Sequence, residues 1–194
     1  MSRSLVFATT NQGKLGELRA LLGPSWIVKS AADFPHVPDV EEDRDTFEGN
    51  AAKKAHAFAQ ALGLWALADD SGLCVDALHG GPGVYSARYG PTDDARITRL
   101  LGELALVPDG LRTARFVCAM TLAGPGGEVQ ETRGSCEGRI GHERKGTNGF
   151  GYDPIFFLPD GRSMAELTKD EKSALSHRGA AFRLIVPHIE ALVR

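Results

Sequence analysis

Apolar residues along the chain fall into short runs and stripes that predict strands alternating with helices. Leu5-Val6-Phe7-Ala8 is a continuous apolar run of strand length, and it ends in the polar segment Thr9-Thr10-Asn11-Gln12-Gly13-Lys14. Leu15, Leu18, Leu21 and Leu22 then recur on one helical face, and Gly23-Pro24 stops that helix. A second strand is expected near Trp26 to Lys29. Thr46 suits the N-cap of a helix that turns Phe47, Ala51, Ala55, Phe58 and Leu62 inward and closes at Gly63. Leu64 to Ala68 predicts a buried strand running into Asp69-Asp70-Ser71-Gly72, with Leu73 to Leu78 as a separate short strand. Thr92 caps a third helix whose inner face carries Ile97, Leu100, Leu101 and Leu104.

The second half changes character. Phe116, Cys118, Met120 and Leu122 alternate with Arg115, Val117, Ala119 and Thr121, which is the period of a strand. Gly124-Pro125-Gly126-Gly127 turns it into a partner near Val129 to Cys136, a hairpin. Residues 134–151 hold six glycines and predict a permissive loop. Phe182, Ile185, Ile189 and Leu192 mark a last helix that Pro187 should kink. Ser173 or Ser176 would cap it, placing Lys172, His177 and Arg178 near its positive end, where a bound anion would offset an unfavourable position. With no internal repeat and no long linker, the expectation is one α/β domain over residues 1–194, a mixed sheet with helices on its faces.

Composition narrows the function. A chain of 194 residues with 42% hydrophobic and 24% charged residues is neither disordered, collagenous nor coiled-coil. Its apolar runs are no longer than stretches such as Leu64–Ala68, far below the ~20 residues of a membrane span. Leu5–Ala8 is too short for a signal-peptide core. Cys74, Cys118 and Cys136 form no CxxC pair and are odd in number, so the expected home is a reducing cytoplasm. A net charge of −3 gives no bulk attraction to nucleic acid or an anionic membrane. The distribution is uneven: residues 31–50 carry seven carboxylates against Arg44, while basic residues gather near Lys14, from Arg139 to Lys145 and from Lys169 to Arg183. Either these are solvated surface charges, or the basic segments converge on a polyanion while carboxylates hold a metal.

Several common motifs are absent. Gly13-Lys14 is followed by Leu15, with Ala8 where a P-loop needs its first glycine. Gly81-Pro82-Gly83 and Gly149-Phe150-Gly151 lack the last glycine of a dinucleotide fingerprint, and there is no HExxH. Four constellations remain. Thr9 to Lys14, between strand and helix, suits a phosphate or is an ordinary turn capped by Asn11. Asp69-Asp70, at the end of an apolar strand, suits Mg²⁺ or caps a turn; strand alternation sends the two side chains opposite ways. Thr147 to Pro154 sets Phe150 among glycines, either to stack on a flat ligand or to anchor the loop. Lys169 to Gly179 either supplies cations for a bound anion or carries ordinary surface basic residues.

In combination these segments resemble the inosine triphosphate pyrophosphatase family, enzymes that remove non-canonical purine nucleotides. The resemblance rests on Phe7-Ala8-Thr9-Thr10-Asn11-Gln12-Gly13-Lys14, Ala68-Asp69-Asp70-Ser71-Gly72-Leu73 and Gly81-Pro82-Gly83-Val84-Tyr85-Ser86-Ala87-Arg88-Tyr89. It continues in Gly149-Phe150-Gly151-Tyr152-Asp153-Pro154-Ile155-Phe156 and Glu171-Lys172-Ser173-Ala174-Leu175-Ser176-His177-Arg178. It implies an elongated mixed β-sheet flanked by helices, with two lobes around a central nucleotide-binding cleft, and a homodimer. It also implies Mg²⁺-dependent hydrolysis of ITP, dITP or XTP to the monophosphate and pyrophosphate. Carried over by motif, Asp70 is general base and metal ligand, with Glu41 the second metal carboxylate ahead of Glu42 and Glu48. Ser71 touches the substrate. Thr9, Thr10, Asn11, Gln12, Gly13, Lys14, Lys172 and Arg178 contact phosphates or sugar, and Phe150, Gly151, Tyr152, Asp153, His177 and Arg178 hold the base. Two segments depart from the resemblance: relatives carry Glu-Thr-Gly where this chain has Glu42-Asp43-Arg44, and Glu where it has Gly49. A catalytically silent nucleotide sensor, or a pyrophosphatase for modified pyrimidines, are the competing readings.

Overall fold

The computed structural model describes residues 3–192, so both ends of the expected 1–194 domain lie outside the described residues. Eleven principal elements follow in the order β1 (Arg3–Phe7), α1 (Gln12–Leu22), β2 (Trp26–Ser30), α2 (Phe47–Leu62), β3 (Ala66–Val75), α3 (Asp93–Glu103), β4 (Thr113–Ala123), β5 (Val129–Ile140), β6 (Phe156–Phe157), α4 (Lys169–Leu175) and α5 (His177–Ala191). The strands form one six-stranded sheet in the order β2-β1-β3-β4-β5-β6. β1 pairs in parallel with β2 and β3, whereas β5 and β6 are antiparallel, so the sheet is mixed.

Two compact units divide the chain, one holding residues through Asp70, 118–134 and 178 onward, the other 71–117 and 135–177. In the first unit both faces of the sheet are covered, which explains why β1 is apolar without alternation. Leu5, Phe7, Leu67, Met120 and Leu122 pack with Leu15 and Leu18 of α1 and Phe182, Ile185 and Ile189 of α5. The other face, Val6, Ala8, Ala66, Ala68 and Ala123, meets Ala55, Phe58 and Ala59 of α2, where small side chains let helix and sheet approach closely. Caps follow the sequence: Asn11, Thr46 and Thr92 each accept from the backbone N–H three residues on, and Gly63 ends α2 in a left-handed conformation.

The second unit has its own core, built from Leu73, Val75, Phe116 and Ile140 with Ile97, Leu100 and Leu104 of α3 and with Tyr152, Ile155 and Phe156. Arg112, 1% exposed, lies within it and donates to the backbone carbonyls of Leu104, Ile140 and Gly141. Those three bonds supply what a buried guanidinium requires.

The structure corrects four expectations. β3 is one strand of ten residues passing straight through Asp69-Asp70-Ser71-Gly72, because those carboxylates find buried partners, and residues 76–78 form a short 3-10 turn. β4 does not alternate between core and solvent: Val117, Ala119 and Thr121 are buried as fully as Cys118 and Met120. Of the glycine-rich stretch, 134–140 belongs to β5; a Cβ on Gly138 would lie 2.5 Å from the Phe157 carbonyl, so glycine serves close approach there, not freedom. Ser173 lies inside α4, which Thr168 caps, and Lys172 sits on that helix, not at the start of α5. α5 continues through Pro187.

Candidate active site

In the first unit the exposed segment after β1 leads into the start of α1. Thr9 accepts from the Asn11 N–H, and Asn11 accepts from the Lys14 N–H. Lys14 and Glu17, one turn apart on α1, reach toward β3. Lys14 Nζ lies 3.1 Å from Asp69 Oδ2, and Arg178, the second residue of α5, places Nε 3.3 Å from the same oxygen. The Arg178 Nη1 group donates to Glu17. Lys14, Asp69, Arg178 and Glu17 thus form a chain of alternating charge. Burial pushes the Asp69 carboxyl upward, but Lys14, Arg178 and Lys54 outweigh it and hold the group well below the usual carboxylate range.

Asp70, on the opposite side of the strand, has a different set of neighbours. Its Oδ2 accepts from Asn50 Nδ2 at 2.9 Å. Lys54, one turn further along α2, donates to Glu42 and to the Asp69 carbonyl. Burial raises the Asp70 pKa, Lys54 opposes this, and the Glu42 charge raises it further. Asp70 is therefore a buried carboxylate more basic than an ordinary aspartate, with a second carboxylate near enough to be felt.

That second carboxylate is Glu42. Glu41 is exposed, and its contribution to the cluster is a backbone carbonyl accepting from Lys53. Glu48 pairs with Arg133 on the surface. The acidic segment has no period from which to read which of its carboxylates turns inward. The donor chemistry of Asp70 and Glu42 fits Mg²⁺, which takes hard oxygen ligands and commonly only one or two protein carboxylates, the rest coming from water and substrate phosphates. Among the described residues no cluster of three or more His, Cys, Asp or Glu could hold a metal.

In the second unit Asp153 and Lys172 meet at Phe150. Asp153 Oδ2 accepts from the Phe150 N–H at 2.9 Å and from Lys172 Nζ at 2.7 Å, and that ammonium sits 4.6 Å from the centre of the Phe150 ring. Gly149 adopts φ +77°, and a Cβ there would fall 2.0 Å from Asp153 Oδ2. Gly151 donates to Asp93, and Tyr152 donates its hydroxyl to the Ser86 carbonyl, which anchors the loop to the Gly83–Arg88 3-10 turn. His177 is buried and stacks on Phe116, with centroids 4.8 Å apart and planes at 15°. Ser71 follows Asp70 along β3.

Of the expected residues, the structure joins Lys14 and Arg178 through Asp69 in one unit, which also holds Thr9 to Gly13 and Asp70, and joins Phe150, Asp153 and Lys172 in the other, which also holds Ser71 and His177. Sequence reasoning missed Glu17, Asn50 and Lys54, and gave Asp69 no role of its own. The spacings Lys14 to Glu17 and Asn50 to Lys54 were available as same-face helical pairs.

Comparison with known proteins agrees along the whole length. The Ham1 family model matches residues 5–188. A dITP/XTP pyrophosphatase of Shouchella clausii is 51% identical over 192 residues, covering 97% of each chain, and one of Geobacter sulfurreducens is 51% identical over 190 residues, covering 95% of this chain and 96% of its own. Among solved structures, the Staphylococcus aureus Ham1 protein superposes with a TM-score of 0.86 at 40% identity, covering 97% of this chain and 99% of that one. A dITP/XTP pyrophosphatase from Mycobacterium abscessus gives 0.77 at 42% identity, covering 95% and 99%. With the family model matched over residues 5–188 and the fold shared over 97% of the chain, the chain belongs to the Ham1 family.

Proposed function

We infer that this chain is a dITP/XTP pyrophosphatase, one domain that hydrolyses dITP, XTP and ITP to the nucleoside monophosphate and pyrophosphate and so cleanses the nucleotide pool. Its relatives over nearly the full length are dITP/XTP pyrophosphatases. The observation that carries the chemistry is Asp70, a buried carboxylate of raised basicity beside Glu42, in the same unit as Lys14, Lys54 and Arg178.

Asp70 orients the attacking water and takes its proton as the water approaches the α-phosphorus; pyrophosphate leaves. Asp70 and Glu42 would hold Mg²⁺, which when bound supplies positive charge against the phosphate oxygens. Thr9 to Lys14 provide hydroxyls, amides and an ammonium for the phosphates. Asp69 keeps Lys14 and Arg178 in place for that task, and Glu17 completes the anchoring of Arg178.

The second unit reads the base. Phe150 offers its ring, held from beneath by Lys172 and from its backbone by Asp153. A donor from His177 would meet the oxygen at C6 of hypoxanthine or xanthine, which adenine lacks. Guanine is rejected at C2. Discrimination built on hydrogen bonds is strong, because a mismatched base leaves buried groups without partners. The enzyme acts as a homodimer in the cytoplasm, with light scattering as the check on the dimer. Among the described residues no helix is long and apolar enough to cross a membrane.

The test is pyrophosphate release from dITP, ITP, XTP, GTP and ATP, by the native protein and by Asp70→Asn. Inosine and xanthosine nucleotides should lead in kcat/KM, and Asp70→Asn should lower turnover by at least ~100-fold with the fold intact. A preference for ATP, or near-normal turnover in Asp70→Asn, refutes the assignment.

A further inference from the structure

We propose that Asn50 is a positioning residue for this reaction, whose single amide fixes Asp70 and the segment bearing Glu42 with respect to one another, so that a divalent cation meets both carboxylates already in place. The proposal rests on the pyrophosphatase reading above.

Asn50 is the fourth residue of α2 and is fully buried, at 0% exposure. Its neighbours dictate which way the amide points. Oδ1 accepts from the Arg44 backbone N–H at 2.9 Å, so the other end must be the donor, and Nδ2 donates to Asp70 Oδ2 at 2.9 Å. A longer bond of 3.4 Å runs from Nδ2 to the Arg44 carbonyl. Turning the amide over would set its oxygen against the Asp70 carboxylate and its NH₂ against another N–H, so one orientation alone satisfies every group. The side chain thereby joins a strand 20 positions away and a loop six positions away.

Because both bonds on the loop side go to main-chain atoms, they fix the backbone two residues beyond Glu42 whatever side chain stands at position 44. Lys54, one helical turn along the same face, makes a second tie between Glu42 and the Asp69 carbonyl. The two ties differ in charge. Lys54 offsets part of the negative charge that a cation would seek, whereas Asn50 is neutral and holds Asp70 without reducing it. With Oδ2 engaged, rotation of the Asp70 carboxylate is arrested and Oδ1 keeps a fixed direction. An outer partner of this kind typically governs metal affinity or activity by about 10- to 100-fold.

The experiment compares wild type, Asn50→Leu and Asn50→Ser. Leucine matches the volume and removes every bond; serine keeps a hydroxyl near Arg44 but falls short of Asp70, and serves should the leucine variant fail to fold. Binding of Mn²⁺ alone is titrated by electron paramagnetic resonance of the free ion, and dITP turnover is measured in parallel. The expected result is a Mn²⁺ Kd raised about tenfold or more and kcat lowered comparably, with KM for dITP, measured at saturating Mg²⁺, within about threefold of wild type. A structural role alone would shift the unfolding midpoint and leave Mn²⁺ affinity unmoved. Mn²⁺ affinity within about threefold of wild type in the folded variants, or no Mn²⁺ binding by wild type, overturns the assignment of Asn50 whatever the turnover. A wild-type protein that binds Mn²⁺ but releases no pyrophosphate from dITP overturns the parent reading instead.

Discussion

Gly49 and Arg44 are predicted to be energetically coupled, and the coupling can be worked from the geometry. Gly49 is the third residue of α2, where alanine would ordinarily gain about 1 kcal/mol over glycine. A Cβ at this position, however, would lie 2.9 Å from Arg44 Cβ, 3.2 Å from Arg44 Cγ and 3.0 Å from Thr46 Oγ1. Arg44 cannot move its Cβ aside, because its backbone N–H and carbonyl are both bonded to the buried Asn50. Overpacking of this kind costs about 2 kcal/mol, so Gly49→Ala should destabilise the native chain by about 1 kcal/mol. In an Arg44→Gly background the obstructing carbons are gone, and the same substitution should stabilise by about 1 kcal/mol, a coupling of about 2 kcal/mol. For a chain of 194 residues, each kcal/mol moves Tm by roughly 2–4 °C, so Gly49→Ala should lower Tm in one background and raise it in the other. Urea unfolding of the four proteins measures the cycle. Equal effects of Gly49→Ala in the two backgrounds would refute the argument.

Three further outcomes are expected. Asp153→Asn should cost about 3 kcal/mol by withdrawing the carboxylate from a buried Lys172, while Asp153→Asn with Lys172→Met should recover most of the stability but not the dITP activity, by urea unfolding and pyrophosphate release. Glu171, whose carboxylate accepts from the Thr168 backbone and hydroxyl and pairs with Arg162, has its pKa lowered from 4.5 to about 2. Its stabilisation is therefore complete above pH 4.5 and lost as the pH falls through about 2, so the unfolding midpoints of wild type and Glu171→Gln should differ at pH 7 and converge on acidification. Removing divalent cations with EDTA should weaken binding of a non-hydrolysable dITP analogue by about tenfold or more in calorimetry, and unchanged affinity would contradict the proposed metal pair.

The sequence made the first unit's elements legible because local and global signals agree there. Asn11, Thr46 and Gly63 are caps that read the same in isolation as in the fold, and the unbroken apolar run of β1 is what a strand covered on both faces requires. The continuity of β3 was not legible. Two adjacent aspartates end a strand in any local reading, and what admits them is a guanidinium 109 positions away, together with Lys14 and Lys54 on two different helices. The same cause hid Glu17 and Asn50, ordinary helix residues until the sheet brings Arg178 and Asp70 to them. Gly138 misled in the opposite sense: glycine signals freedom in a sequence, whereas here the Phe157 carbonyl occupies the space a side chain would need.

Charge balance then constrains how the first unit can work. Lys14, Lys54 and Arg178 face Glu17, Glu42, Asp69 and Asp70, so the cluster as a whole carries one negative charge. A nucleoside triphosphate brings roughly four more, and in a buried setting like charges repel far more strongly than in water. The three cations are also committed: each is bonded to a carboxylate of the cluster, and Arg178 is held by two. Their arrangement cannot attract a triphosphate by bulk field, but it can offer fixed donors at fixed positions once the sign of the cluster is reversed. A divalent cation at Asp70 and Glu42 achieves that reversal with a single ion. If Asp70 and Glu42 hold the metal as proposed, the cationic groups would become effective toward phosphate only with the metal bound, and nucleotide affinity and metal affinity would be linked by the composition of the cluster itself.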